Sequence, residues 1–316
     1  MAIPGSAVRL TVPADVPAAK RSVYEKNFEL VTKGTGNLAL FAGDQKVEHL
    51  NDDFYGKTSQ GVIAADDNDP EHLFRIAQQG VIGCFATQFG LVARYGPDYS
   101  DVPYLVKINS KTHLRGVKIG DPRSTDWVTV EQIASLRDAG LNIVGVGYTV
   151  YAGSEFESEM LTGAAQVCYE AHREGLLSVI WSYPRGAAVP DERDPHVIAG
   201  AAGLAATLGA DFCKVNYPKV SEGSVAEAFR EAAIACGRTR LITAGGEGTG
   251  VESFLQTLHD QIFISGAAGS ATGRNIHQKS LPEAVRMTKA IASITYGGLS
   301  VQEAAAVYEG TRDFTI

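Results

Sequence analysis

Lys214 closes the run Gly209-Ala210-Asp211-Phe212-Cys213-Lys214-Val215-Asn216-Tyr217, which reads as an apolar, buried β-strand with an ammonium group at its end. Burial disfavours the protonated amine, so such a lysine can be neutral and nucleophilic near pH 7, the state in which it adds to a ketone carbonyl to form a Schiff base. The plainer reading is a strand-end lysine that pairs with a carboxylate or snorkels to solvent. Its company favours the chemical one. The run Trp181-Ser182-Tyr183-Pro184-Arg185-Gly186 follows another apolar strand, and alternation places Trp181, Tyr183 and Arg185 on one side and Ser182 on the other. If Trp181 faces the site, so does the Tyr183 phenol, which could exchange a proton with a substrate hydroxyl. Otherwise Tyr183 is a packed aromatic with its hydroxyl bonded to backbone, and Trp181 is a wall.

Asp44 opens Asp44-Gln45-Lys46-Val47-Glu48-His49 after a further strand. Its carboxylate either orients the amine and moves protons during addition, or caps the following helix. Lys46, Glu48, His49 and Lys107 are candidates for the surrounding substrate shell. Gly245-Gly246-Glu247-Gly248 and Gly273-Arg274-Asn275 close the last two strands, and glycine lets backbone amides approach an anion there. Arg274 adds a cation, so Gly245, Gly246, Gly273 and Arg274 together point to a phosphorylated substrate.

The elements that must carry these residues are eight short apolar runs, at 38–42, 83–86, 104–108, 142–146, 177–181, 212–215, 241–244 and 270–272, each followed by a helix-like segment. Such alternation predicts parallel strands joined by helical crossovers, in the α/β class. Eight units fit a closed (β/α)8 TIM barrel, with a doubly wound open sheet as the alternative. In the barrel, the C-terminal strand ends form the active face, which is where the residues above fall. Ser154 with Glu157 and Ser224 with Glu227 fit capping boxes, Asp194-Pro195 fits a cap and first helical position, and Gly175, Gly209 and Gly237 fit helix stops. No linker divides the chain, so residues 1–30 read as an N-terminal arm and residues 31–316 as one barrel domain. The acidic connection from His49 to Pro70 is long for a βα loop and reads as a lid or an interface element.

Composition narrows the function classes. The 316 residues are 45% hydrophobic and 20% charged with a formal net charge of −8, which argues against nucleic acid or an anionic membrane as partner. Any anion site is therefore local. Pro4, Pro13, Asp15 and Pro17 interrupt the first twenty residues, no later segment has the unbroken apolar length of a membrane span, and the expectation is a cytoplasmic protein. The 4 cysteines lack close pairs and the 7 histidines lack helix-face spacing, so no disulfide framework or metal site is expected. Two other classes remain: a metal-dependent hydrolase using Asp44 and His49, and a silent phosphosugar-binding protein in which Lys214 stays an ammonium.

Asp44-Gln45-x-x-Glu48-His49, Gly147-Tyr148-Thr149-Val150-Tyr151-x-Gly153-Ser154, Trp181 to Gly186, Gly209-Ala210-Asp211-x-x-Lys214 and Thr272-Gly273-Arg274-Asn275 occur in order over residues 38–297. This set resembles the archaeal-type class I fructose-1,6-bisphosphate aldolases. The resemblance implies a lyase without metal or other cofactor that reversibly splits fructose 1,6-bisphosphate into dihydroxyacetone phosphate and glyceraldehyde 3-phosphate. It implies Lys214 as the Schiff-base lysine, Tyr183 as the proton-transferring phenol and Asp44 as the assisting carboxylate. Trp181 and Arg185 would lie in the substrate shell, and a homo-oligomer, often a decamer, would be the assembly. Ala244 stands where many of these aldolases have serine, and Asn216 where a second lysine is frequent. Both departures are similar to a sister group, the 2-amino-3,7-dideoxy-D-threo-hept-6-ulosonate synthases, which is the alternative function.

Overall fold

A computed structural model describes residues 10–58, 61–114, 120–246 and 250–316. The apolar runs form eight strands, β1 (Leu38–Ala42), β2 (Cys84–Gln88), β3 (Tyr104–Lys107), β4 (Ile143–Ala152), β5 (Leu177–Pro184), β6 (Phe212–Val215), β7 (Arg240–Ala244) and β8 (Gly269–Thr272). Each pairs in parallel with the next and β8 returns to β1, closing a (β/α)8 barrel. The helices are α1 (Arg21–Thr32), α2 (Glu71–Gln79), α3 (Phe89–Tyr95), α4 (Val130–Ser135), α5 (Glu157–Arg173), α6 (Pro195–Thr207), α7 (Val225–Ala235), α8 (Val251–Phe263), α9 (Leu281–Thr295) and α10 (Val301–Glu309).

Strand alternation divides the apolar residues into two cores. Val146, Ile180, Cys213 and Leu241 point outward and are covered by the helices. Leu40, Leu105, Val179, Phe212 and Ile242 point inward and fill the lower barrel. Burying one such aliphatic or aromatic side chain contributes about 1.5–3 kcal/mol. Asp194 caps α6 through the Val197 amide with Pro195 in its first turn, and Ser224 caps α7 through the Glu227 amide. Gly175, Gly209 and Gly237 follow α5, α6 and α7 with positive φ.

The Ser154–Glu157 capping box does not form. Phe156 holds the cap position of α5, the Ser154 hydroxyl donates to the Pro122 carbonyl, and Glu157 accepts from the Gly153 amide. The competing partner is the chain leaving β3, which draws the serine away from the helix. β4 and β5 also run further than their apolar runs, through the pairs Tyr151↔Tyr183 and Ala152↔Pro184.

α1 crosses the N-terminal end of the barrel and buries Tyr24, Phe28 and Val31 against the inner core, so the boundary at residue 30 falls inside a helix. Asp211 fastens it. Its carboxylate accepts from the Tyr24 hydroxyl at 2.5 Å and the Ser178 amide at 2.7 Å, and lies 3.2 Å from His172 Nε2. His172 Nδ1 reaches Asp15 at 2.8 Å. Burial works against a charged imidazole, but the bonds to Asp211 and Asp15 outweigh it and raise the His172 pKa to about 9. A histidine raised above its unfolded value stabilises fully below that value, about 6.5, and the contribution is lost as pH rises through about 9. The melting temperature should therefore fall between those limits, and His172→Gln should flatten that part of the Tm-versus-pH curve.

Candidate active site

The inward side chains change from apolar to polar near the C-terminal rim. Above the inner layer of Leu40, Leu105, Val179 and Phe212 come Asp44 beyond β1, Lys107 on β3, Thr149 on β4, Trp181 on β5 and Lys214 on β6. β7 and β8 offer only Ala244 and Ala271 at this height, and the small side chains leave room on their side.

Trp181 is the centre of the layer. Lys107 Nζ lies 3.8 Å from its ring centre and Lys214 Nζ 5.0 Å, so one indole serves two amines. Gly147 makes this possible, because a Cβ there would stand 2.7 Å from Trp181 Cζ3 and 2.9 Å from Lys107 Cδ. Lys107 donates to Thr149 Oγ1 at 2.5 Å and lies 3.9 Å from Asp44 Oδ2. Burial lowers the Lys107 pKa to about 8, with Asp44 and Glu48 acting against the shift and Lys214 adding to it. Burial also holds Lys214 below the ordinary lysine range, with Asp44 and Glu48 opposing and Arg274 assisting. Lys214 makes no hydrogen bond or ion pair with a described residue. Asp44 begins the helical turn Gln45–Glu48, yet its side chain caps nothing, and its buried Oδ2 has no hydrogen-bond partner among the described residues. A buried carboxylate oxygen with an ammonium at 3.9 Å but no hydrogen bond marks a place where stability has yielded to another use.

The cavity above this layer measures about 570 Å³. Asp44, Glu48, Lys214, Tyr183 and Arg185 line it, with His49, Gly245, Gly246, Gly273 and Arg274 at its edges. Of the residues read from sequence, Trp181 and Lys107 are not on its surface. Both are about 1% exposed and form the floor, so Lys107 supports the site from below, where the sequence suggested a substrate contact. Lys46 is turned away as well, with its ammonium bonded to Asn51 and the Asn68 carbonyl.

Tyr183 and Tyr151 stand side by side on β5 and β4 with ring centres 6.4 Å apart. Burial raises both phenols well above the usual tyrosine range, and among charged groups Glu48 contributes most to the rise. The Tyr183 hydroxyl makes no hydrogen bond to a described residue, so the packed, backbone-bonded alternative is not what the strand adopts. Arg185 lies 5.8 Å and 5.9 Å from the two rings and is braced by Glu192, 2.9 Å from its Nε. Tyr151, Glu192, Arg193 and Lys219 line the cavity and had no role assigned from sequence. Tyr151 could have been found by its phase, since it alternates with Gly147 and Thr149. Lysines and arginines outnumber carboxylates on the wall, a local cationic surface on an anionic protein.

The glycine loops correct one detail. The Gly245 amide donates to the Ala271 carbonyl at 3.1 Å and is spent on strand pairing, so it does not donate to an anion. Arg274 reaches across to the Gly246 carbonyl at 3.2 Å and lies 3.7 Å from Asp53. Glu247 and Gly248 lie outside the described residues. The acidic connection after His49 is tied to this side of the rim: Asp67 bonds His277 at 2.7 Å, Phe54 stacks on the His277 ring at 4.6 Å, and Gln278 donates to the Asp53 carbonyl. His49 itself bonds Asp53 and lies edge-on to His113.

A family model described as DeoC/LacD family aldolase matches residues 38–279. The chain is 56% identical over 302 residues, 95% of both chains, to a Methanocaldococcus jannaschii protein called fructose-bisphosphate aldolase/6-deoxy-5-ketofructose 1-phosphate synthase. It superposes on a fructose-bisphosphate aldolase from Slackia heliotrinireducens with a TM-score of 0.94 at 54% identity, covering 98% of this chain and 96% of the other. An archaeal fructose-1,6-bisphosphate aldolase with its catalytic lysine covalently bound to the carbinolamine intermediate gives a TM-score of 0.73 at 30% identity, covering 87% and 100%.

Because nothing but hydrogen fits between the Gly147 Cα, the indole and the Lys107 stem, Gly147→Ala should lower unfolding stability by about 1–3 kcal/mol through overpacking. Chemical denaturation compared with the parent protein measures it.

Proposed function

Starting from a chain that belongs to the DeoC/LacD aldolase family, we propose that this protein is a class I aldolase that reversibly cleaves fructose 1,6-bisphosphate through a Schiff base on Lys214. The observation that carries the reading is the Lys214 amine: buried, lowered in proton affinity, free of hydrogen bonds to described residues and open to a cavity whose wall is cationic.

The chemistry follows from the neighbours. A neutral Lys214 adds to the C2 carbonyl to give a carbinolamine, and Asp44, with its unpartnered Oδ2, moves the protons that let water leave and a protonated imine form. The iminium withdraws electrons. When the C3–C4 bond breaks, its electron pair enters the C2–N system as an enamine and the C4 oxygen becomes an aldehyde carbonyl, while its proton passes to Tyr183. Glyceraldehyde 3-phosphate leaves, C3 regains a proton, and hydrolysis of the imine releases dihydroxyacetone phosphate. Arg274 with the Gly246 and Gly273 loops takes one phosphate, and Arg185 lies near the reacting hydroxyls. The sequence of steps needs no metal ion.

A second reading uses the same lysine with a different aldehyde. Ala244 and Asn216 favour it, the two departures that resemble the 2-amino-3,7-dideoxy-D-threo-hept-6-ulosonate synthases. A panel comparing fructose 1,6-bisphosphate with 6-deoxy-5-ketofructose phosphate plus aspartate semialdehyde separates the two.

Borohydride with dihydroxyacetone phosphate should leave a stable adduct on the peptide containing Lys214, Lys214→Met should abolish both adduct and turnover, and EDTA should leave the rate unchanged. Loss of activity in EDTA without any adduct would favour the hydrolase class instead. Tyr183→Phe should slow cleavage on the order of 10²-fold while trapping stays near the parent level. Equal loss of both would remove Tyr183 from proton transfer.

A further inference from the structure

The Schiff-base reading leaves one proton without a home. Cleavage takes it from the C4 hydroxyl, and the same count requires one at C3 before the ketose phosphate can leave, so the site must hold a proton between the two half-steps. Tyr183 is a poor store by itself. Its burial and the carboxylates around it keep it a neutral phenol, so it can accept the C4 proton only as it gives up its own.

We propose that Glu48 is the carboxylate that receives and stores this proton, acting through Tyr183, an inference that rests on the Schiff-base reading. Glu48 is four residues after Asp44 on one helical turn, so both carboxylates share the face that lines the cavity. The turn is pinned: the Glu48 carbonyl accepts the His113 amide at 2.8 Å and lies 2.8 Å from His113 Nδ1, while Ser110 Oγ is 3.4 Å from Glu48 Oε1. Asp44 from the end of β1, Tyr151 from β4, Tyr183 from β5, Lys214 from β6 and the adjacent His49 line the same cavity as Glu48, with Lys107 from β3 in its floor. Burial first and Asp44 second raise the Glu48 pKa, with the two lysines and His49 opposing. A carboxylate with raised proton affinity is a better resting place for a transferred proton than an ordinary glutamate.

The step balances. As C3–C4 breaks, the C4 hydroxyl proton moves to the Tyr183 oxygen, the Tyr183 proton crosses the cavity that both side chains line to the Glu48 carboxylate by way of a water molecule, and the bonding pair goes to the iminium. Glu48 then returns its proton through Tyr183 to C3 of the enamine, and every group is restored.

Glu48→Gln tests this in the whole enzyme, with three readouts: fructose 1,6-bisphosphate cleavage, exchange of the C3 proton of dihydroxyacetone phosphate in deuterium oxide, and borohydride trapping. Cleavage and exchange should each fall about 50-fold or more, trapping should stay within about 3-fold, and Glu48→Asp should recover part of both lost rates. In the background of Tyr183→Phe, Glu48→Gln should cost little more, because the two groups form one relay. Exchange near the parent rate, trapping that falls with cleavage, or independent losses that multiply in the double variant would each overturn the proposal. Absence of any adduct in the parent enzyme would remove the Schiff-base reading, and the relay with it. Should Glu48→Gln not fold, Glu48→Asp decides alone: exchange and cleavage at parent rates would overturn the relay, and joint loss with intact trapping would support it.

Discussion

Everything at this site depends on keeping an amine out of water while keeping it reachable. A lysine at the end of β6 is enclosed on its lower side by the Trp181 indole and open on its upper side to a cavity. Desolvation lowers its proton affinity, and the carboxylates of Asp44 and Glu48 pull the other way. The balance requires that the carboxylates be near without bonding to the amine. Lys107 helps by lying nearer to Asp44 and carrying its own hydrogen bond to Thr149, so the Asp44 Oδ2 faces an ammonium at 3.9 Å and still accepts no hydrogen bond from a described residue. Two amines, one indole and one carboxylate form a compact charged layer that apolar residues could not replace without losing the chemistry.

That layer is held from below by a second charged cluster with a different purpose. Asp211 stands three residues before Lys214 at the opposite end of the same strand, where it gathers the Tyr24 hydroxyl, the Ser178 amide and His172. Within the motif Gly209-Ala210-Asp211-x-x-Lys214, one charged residue secures the fold and the other is the proposed nucleophile. Spacing in sequence reflects the length of β6 and not a shared site.

The barrel was legible because parallel strands covered on both faces are continuous apolar runs, and each of the eight strands lies on such a run. The ends of β4 and β5 were not, because Gly147 and Ser182 interrupt the apolar character while the hydrogen-bond ladder continues beyond the rim. Alternation put Trp181 and Tyr183 on one side and Ser182 on the other, and in the barrel the first two face inward while the Ser182 hydroxyl meets the Ala201 carbonyl outside. It could not give depth. Lys107 faces inward as its phase requires, yet the stagger of strands around the barrel puts it under the indole. The Ser154 cap failed for a related reason: a local rule was overruled by the Pro122 carbonyl, a partner thirty-two positions away. Glu192, Arg193 and Lys219 stand on connections whose paths no periodicity encodes.

The overshoot of β4 and β5 divides the mouth of the barrel into two mechanical halves. Tyr151 and Tyr183 stand on a continuous backbone ladder, whereas Arg193, Lys219, Gly246 and Arg274 stand on connecting segments. Ladders resist insertion and deletion, and connections tolerate both. On the proposed reading, the proton-transferring phenol is thereby built into the frame, while the surface that selects an incoming aldehyde is free to drift. Under the proposed mechanism, a lineage descended from this architecture inherits an enamine generator whose choice of electrophile is open to revision by loop changes alone.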